Sequence, residues 1–285
     1  MLGKLWPHRR ASAAELQNPQ DVILVVTDVF WMDDGQVGVA GVLKDGTPVR
    51  LRVGDFGPDG TWLDAAGGDP VMPFSMLRLH LGDAPPDISP PFTEERQAAA
   101  TGHRTLQMLE LTDIAGFLEG TCAASVREIF GAQIHVDPGG GKDWYVAAGE
   151  GERSLGTVRP VEVQSVTVRR NRDAGVMDFR LSFRDASGES YKLTIGDLMA
   201  QSMFTLLGDA GYTAHEVGRL VRDRLRGEEP LYLRIALSRP TEAHPDRCSL
   251  QVAGLISLQD LETPPASGGQ MAGRASRRVQ RGRRP

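Results

Sequence analysis

From residue 21 onward the chain alternates short apolar runs with turn signals. Asp21-Val-Ile-Leu-Val-Val-Thr-Asp-Val-Phe30 is a β-branched, apolar run suited to a buried strand. Asp33-Asp34-Gly35 supplies a turn, and Gln36-Val-Gly-Val-Ala-Gly-Val-Leu43 follows as a second strand. Asp45-Gly46 predicts a hairpin, because a tight turn there needs a positive φ that glycine tolerates. Thr47 to Val53 then alternates, with Val49, Leu51 and Val53 on one face and Arg50 and Arg52 on the other. The result is a three-stranded antiparallel meander. A Gly/Asp/Pro-rich loop over 54–70 leads to a fourth strand, Phe74 to Leu81. Gly82 to Pro91 holds four prolines and predicts no regular structure. Glu94 to His103 reads as a short helix, and Thr105 to Leu111 as the closing strand.

The pattern resumes after an ambiguous stretch over 112–153, in which Ala124 to Phe130 suits a short helix and Pro138-Gly-Gly-Gly-Lys142 a flexible loop tip. Leu155 to Arg170 reads as one long strand kinked at Pro160, which lacks a backbone donor and belongs at an edge or bulge. Val176 to Arg184 follows, with Met177, Phe179, Leu181 and Phe183 alternating against Asp178, Arg180, Ser182 and Arg184. Asp185-Ala-Ser-Gly188 turns the chain, and Glu189 to Ile195 returns as a third strand. Asp197 is placed to cap a helix running through Leu206. Thr213 caps a second helix, with Val217, Leu220, Val221 and Leu225 spaced three or four apart on one face. Leu231 to Leu237 and Cys248 to Leu258 are the last two strands.

Three meandering strands, a helical insertion and two further strands is the order of an OB barrel, whose helix plugs the base between the third and fourth strands. The first half repeats the order with a loop where the helix belongs. The expected fold is therefore mostly β, two consecutive OB-type five-stranded barrels; a split sandwich of similar strands shares the pattern. The division is a loosely ordered leader over 1–20, a first barrel over 21–111, a connecting segment over 112–153, a second barrel over 154–262 and an Arg-rich tail over 263–285.

Several stretches of the second half also resemble the bacterial dual OB-containing domain proteins. They are Gly151-Glu-Arg-Ser-Leu-Gly-Thr-Val-Arg-Pro160, Phe179-Arg-Leu-Ser-Phe-Arg-Asp185, Tyr191-Lys-Leu-Thr-Ile-Gly-Asp-Leu198, Leu231-Tyr-Leu-Arg-Ile-Ala-Leu-Ser-Arg-Pro240 and Arg247-Cys-Ser-Leu-Gln-Val-Ala-Gly-Leu-Ile256. Pro90-Pro-Phe-Thr-Glu-Glu95 is a further echo in the first half. The resemblance implies two OB folds per chain and a nucleic-acid role inferred from that fold, with no catalytic residues to carry over. The chain departs from the pattern at Ser249, where the family's final strand often shows an aromatic after the cysteine.

Charge narrows where nucleic acid could be held. The net of −5 is uneven: residues 1–140 carry −9, residues 141–263 carry −2, and residues 264–285 carry six arginines and no acid. Any nucleic-acid contact should therefore be local rather than a uniform coat. No apolar run reaches the ~20 residues that span a bilayer, and the basic N-terminus has no apolar core behind it. With two cysteines, Cys122 and Cys248, in separate segments, the expectation is a cytoplasmic protein with reduced thiols and no membrane partner.

OB barrels bind single strands with a basic groove and aromatic platforms on the second and third strands. In the second barrel those strands offer Arg180, Arg184 and Lys192, with Tyr191 beside Lys192. A polar outer strand face is ordinarily only solvated surface, and the aromatic content is low at 6%. Arg159, Arg234 and Arg239 lie in the resembling stretches; Arg234 alternates outward with Tyr232, and Arg239 ends a strand. Ion pairs to Glu162, Asp185 or Asp197 would equally account for these three. Arg277, Arg278 and Arg281 belong to the tail, which has nothing apolar to fold with and could release counterions from phosphates or lie on the acidic first half.

Catalytic and metal chemistry finds no support. His244 and Cys248 are four apart, but structural zinc takes four ligands in close pairs, and Cys122 and His135 are not paired. A phosphate-binding loop ending at Lys142 would need glycine at 136 and Ser or Thr at 143, where this chain has Val136 and Asp143. Glu150 and Glu152 lack a partnering histidine or aspartate, and no nucleophile elbow or HExxH occurs. The expectation is a cofactor-free, non-catalytic protein that binds single-stranded nucleic acid, or else docks a protein partner as an accessory of a nucleic-acid-processing or defence complex.

Overall fold

The first meander forms where the alternation places it. In the computed structural model, β1 runs Asp21–Trp31, β2 Val37–Leu43 and β3 Pro48–Val53. The β2–β3 hairpin turns at Gly46 with φ 89, and the Asp45 carboxylate accepts from the Thr47 amide at 2.9 Å. That hydrogen bond holds the Asp45 carboxyl below its ordinary pKa. The described residues are 21–31, 37–53, 63, 70–99, 101–137, 143–170, 177–227 and 230–258. The expected leader, the tail, the 138–142 loop tip and most of the 54–70 loop lie outside them.

Two units divide the chain. Unit 1 comprises Met1–Ile88, Glu94–Gly120 and Leu261–Pro285; unit 2 comprises Ser89–Thr93 and Thr121–Asp260. Unit 1 adds β4 Ser75–His80, β5 Glu95–Ala98 and β6 Arg104–Met108 in a six-stranded sheet of order β5-β3-β2-β1-β4-β6. β1 pairs antiparallel with both β2 and β4, whereas β3 and β5 are parallel, from Arg50↔Glu95 to Val53↔Ala98. Between β4 and β5 a single antiparallel bridge, Leu81↔Ala98, joins the two ends. The helix expected over 94–103 is thus a correction. Glu-Glu-Arg-Gln-Ala-Ala-Ala has helical propensity, but the edge of β3 takes Glu95–Ala98 as a strand. Likewise Leu111 does not end a strand; it starts α1, Leu111–Thr121.

Unit 2 carries β7 Cys122–Ala123, α2 Val126–Phe130, β8 His135–Val136, β9 Trp144–Ala147, β10 Leu155–Val158 and β11 Glu162–Arg170. Then follow β12 Met177–Arg184, β13 Ser190–Ile195, α3 Leu198–Asp209, α4 Ala214–Leu225, β14 Leu231–Leu237 and β15 Arg247–Ser257. The ladders run β11-β12-β13-β15-β14-β10-β7, with the β8–β9 hairpin attached to β15 through β9. Among the described residues each sheet therefore holds more than the five strands expected, and its ladders do not close into a continuous ring. Much of the excess comes from the segment over 112–153, read from sequence as a connector, which supplies α2 and three of the strands.

The single kinked strand expected over Leu155 to Arg170 is two. Pro160 donates no hydrogen bond, and the halves separate to different partners, β10 to β14 and β11 to β12. β11 also bulges between Val163 and Ser165. The carbonyls exposed there are taken by Arg226, whose Nε donates to Val163 O at 2.6 Å and Nη2 to Gln164 O at 3.1 Å. α4 lies close on the same strand: a Cβ at Gly218 would stand 2.6 Å from Val166 O. α3 and α4 start on the expected caps, Asp197 and Thr213, the latter in a reciprocal capping box with Glu216. The core between these layers is built from the inward faces of the strands, with Phe179, Leu181 and Phe183 of β12 and Leu193 and Ile195 of β13 all buried. Among the described residues no helix is long and apolar enough to cross a membrane.

Candidate nucleic-acid interface

Because successive side chains on a strand point to opposite faces, burying Phe179, Leu181 and Phe183 turns Asp178, Arg180, Ser182 and Arg184 outward. Register aligns them across three strands. Arg180 sits between Thr167 and Thr194, Ser182 between Ser165 and Lys192, and Arg184 between Glu162 and Ser190. Arg180 donates from Nη1 to Asp143 at 3.0 Å and from Nε to Asp178 at 3.3 Å. Burial works to lower its pKa, and the two carboxylates outweigh that and raise it. Arg184 pairs with Glu162 at 2.8 Å. The Arg184 pair is exposed and the Arg180 pairs are part-buried; solvent-screened pairs of this kind contribute ~0–1 kcal/mol each, so a phosphate can compete for either arginine. Lys192, half-buried between them, has no ion pair among the described residues.

Tyr191 does not share this face. With Lys192 outward, Tyr191 must point inward, where its ring stacks on Phe183 at 5.6 Å and meets Trp144 at 4.7 Å. Desolvation pushes its phenol up to about 12, with Asp185 and Glu189 adding to the shift. Arg234 is not outward either. Both faces of β14 are covered, and Arg234, 4% exposed, donates from Nη1 to Thr157 Oγ1 at 2.7 Å. Arg239 lies with its guanidinium 4.8 Å from the Phe92 ring centre, a cation–π contact within unit 2. Arg159 rims an open cleft of about 500 Å³ with Ala123, Ala124, Pro160, Val161 and Ala186. Arg277, Arg278 and Arg281 lie outside the described residues.

The structure brings in a group that the sequence reading passed over. β9 pairs with the first residues of β15, Ser249↔Tyr145 to Arg247↔Ala147, just before β15 turns to pair with β13 at Gln251 and Val252. Val146 is buried and Trp144 packs against the core, so Asp143 and Tyr145 take the opposite face. Asp143 reaches Arg180 there. Tyr145 stacks with its cross-strand neighbour His135, ring centres 5.3 Å apart and planes 23° from parallel. From β15, diagonally across from Tyr145, the Arg247 guanidinium stands 4.9 Å from the Tyr145 ring centre. Arg247 also donates to Asp137 at 2.8 Å, the largest of the contacts that raise its pKa. The signal was present as Trp144-Tyr145-Val146-Ala147, but a four-residue strand whose partner lies a hundred residues away has no local mark.

Among the described residues no group of three or more His, Cys, Asp and Glu is arranged to hold a metal ion, and Cys122 and Cys248 form no disulfide. The face is thus a polar, cation-bearing strand surface with one aromatic stack at its side. No family model matches the chain, and no curated protein matches it.

Proposed function

We propose that this chain is a non-catalytic protein that binds single-stranded nucleic acid through two OB-type barrels, with the outer face of β11–β13 as reader and the arginine tail as an electrostatic anchor. One observation carries the reading: the strand order of unit 2, with its cations on the second and third strands of that order. Counting β10 and β11 as halves of one bent strand, the neighbours run first-second-third-fifth-fourth-first, with the third and fifth, β13 and β15, parallel. α3 and α4 stand between the third and fourth, where an OB barrel carries its helix. Unit 1 has the same relation in β5-β3-β2-β1-β4, with Leu81↔Ala98 linking its ends. Arg180, Arg184 and Lys192 lie on the face where OB barrels take single strands.

The test is fluorescence anisotropy with labelled single-stranded DNA, single-stranded RNA and duplex, using the full chain and a version ending at Pro264. The shortened protein should keep single-strand binding, and Arg180→Ala with Lys192→Ala should abolish it. Binding that vanishes with the tail would reduce the interaction to charge alone; no binding by either version at low salt would overturn the reading.

A protein-docking role is the second reading, and one observation favours it. Met199, Leu206, Tyr212 and Leu220, on α3, α4 and the turn between them, are each at least 37% exposed. Failure of both versions to bind any nucleic acid would turn the search to these helices.

A further inference from the structure

We infer that the β8–β9 hairpin supplies a base-stacking subsite for that single strand, formed by His135, Tyr145 and Arg247, and that it grips bases rather than phosphates. The inference rests on the nucleic-acid reading above.

Planar groups stand side by side across three strands here, imidazole on β8, phenol on β9 and guanidinium on β15. All three side chains are partly exposed; Trp144, also partly exposed, packs on the core side of β9, and Tyr191 and Phe183 are buried. A sugar–phosphate chain gains nothing from such a row; an unpaired base does, because any base has a π-face to extend it. The charges nearby are already matched. Arg247, the cation of the row, is held by Asp137, with Asp246 at 3.6 Å. Asp137 follows His135 on the same hairpin, so a carboxylate already occupies the Arg247 guanidinium and leaves its flat face, not its charge, to offer. The partner this arrangement selects is a strand that can present an unstacked base. Duplex, whose bases are enclosed, is excluded by the same geometry.

The test compares two probes on the full chain: a labelled oligothymidine of about twelve nucleotides, and an abasic oligomer with the same number of phosphates. The arginine tail meets equal charge on both, so the difference isolates base contact. Oligothymidine should bind about tenfold or more tighter than the abasic oligomer. That ratio should stay constant between about 50 and 200 mM salt, since stacking releases no counterions. Tyr145→Ala and His135→Ala should each shrink the ratio towards one, while Tyr145→Phe, which keeps the ring and controls for folding, should retain it. Equal binding of the two probes, or a ratio that survives Tyr145→Ala, would overturn the subsite while leaving backbone binding in place. Absence of binding to either probe at low salt would overturn the nucleic-acid reading and the subsite together.

Discussion

At the scale of single residues, Tyr191 couples the fold to pH. Its phenol is buried and pushed from 10.0 up to about 12, so through that window the unfolded chain has released a proton that the folded chain still holds. Stability therefore falls as pH rises from 10 to 12 and is unaffected by this group below that. Two pH units correspond to about 2–3 kcal/mol. Tyr191→Phe should flatten the decline in the urea midpoint across this range; parallel declines in the two proteins would refute the assignment. Gly218 is a second such residue. An alanine there would put its Cβ 2.6 Å from Val166 O, a backbone atom that cannot step aside. α4 would have to lift from β11, costing about 1–3 kcal/mol, against a helix-propensity gain of about 1 kcal/mol for replacing glycine. Thermal denaturation should show Gly218→Ala less stable than the parent, and a higher midpoint would mean the helix has room to move.

Elements are joined by side chains with more than one partner, of which Asp197 is the clearest. Its Oδ1 accepts from the Met199 and Ala200 amides at 2.9 and 3.0 Å, starting α3, while its Oδ2 accepts from the Leu255 amide of β15 at 2.7 Å. Asp197→Ala should lose the cap, about 1 kcal/mol, and strand the Leu255 amide, about 1–3 kcal/mol more. Asp197→Ser keeps a capping oxygen without the reach to β15 and should fall between, as read by urea denaturation. Asp197 and Thr213 were legible as caps because capping is a local rule, and β12 was legible because its alternation is unbroken. What escaped depends on partners distant in sequence. Glu95–Ala98 forms a strand only because β3 offers an edge, and Trp144–Ala147 only because β15 does. Arg234 follows the same logic. Alternation placed it outward with Tyr232, but alternation cannot tell that both faces of β14 are covered. Tyr191 is turned from Lys192 by the same alternation, since neighbours on a strand do not share a face.

Across the whole molecule, charge and chain path set the expectations. Removing residues 265–285 deletes six arginines. At about 0.7 per neutralised phosphate on a single strand, the log–log salt slope of binding should drop by up to about 4. An unchanged slope would mean the tail is engaged elsewhere, as on the acidic first half. The chain path bears on stability. Ser89–Thr93 leaves the sequence of unit 1 to join unit 2, where Phe92 enters the core and Thr93 Oγ1 donates to Glu152 O at 2.6 Å. Phe92→Ala should cost unit 2 about 3–5 kcal/mol. Hydrogen exchange should show β14 and β15 amides losing protection while β1–β3 amides keep theirs; equal losses would mean the units open together. The same path means that no single cut releases two whole halves. A fragment spanning 121–260 would carry an empty socket for Phe92, and a short peptide with the sequence Ser89–Thr93, added in trans, would be its natural complement and should raise its melting temperature by mass action.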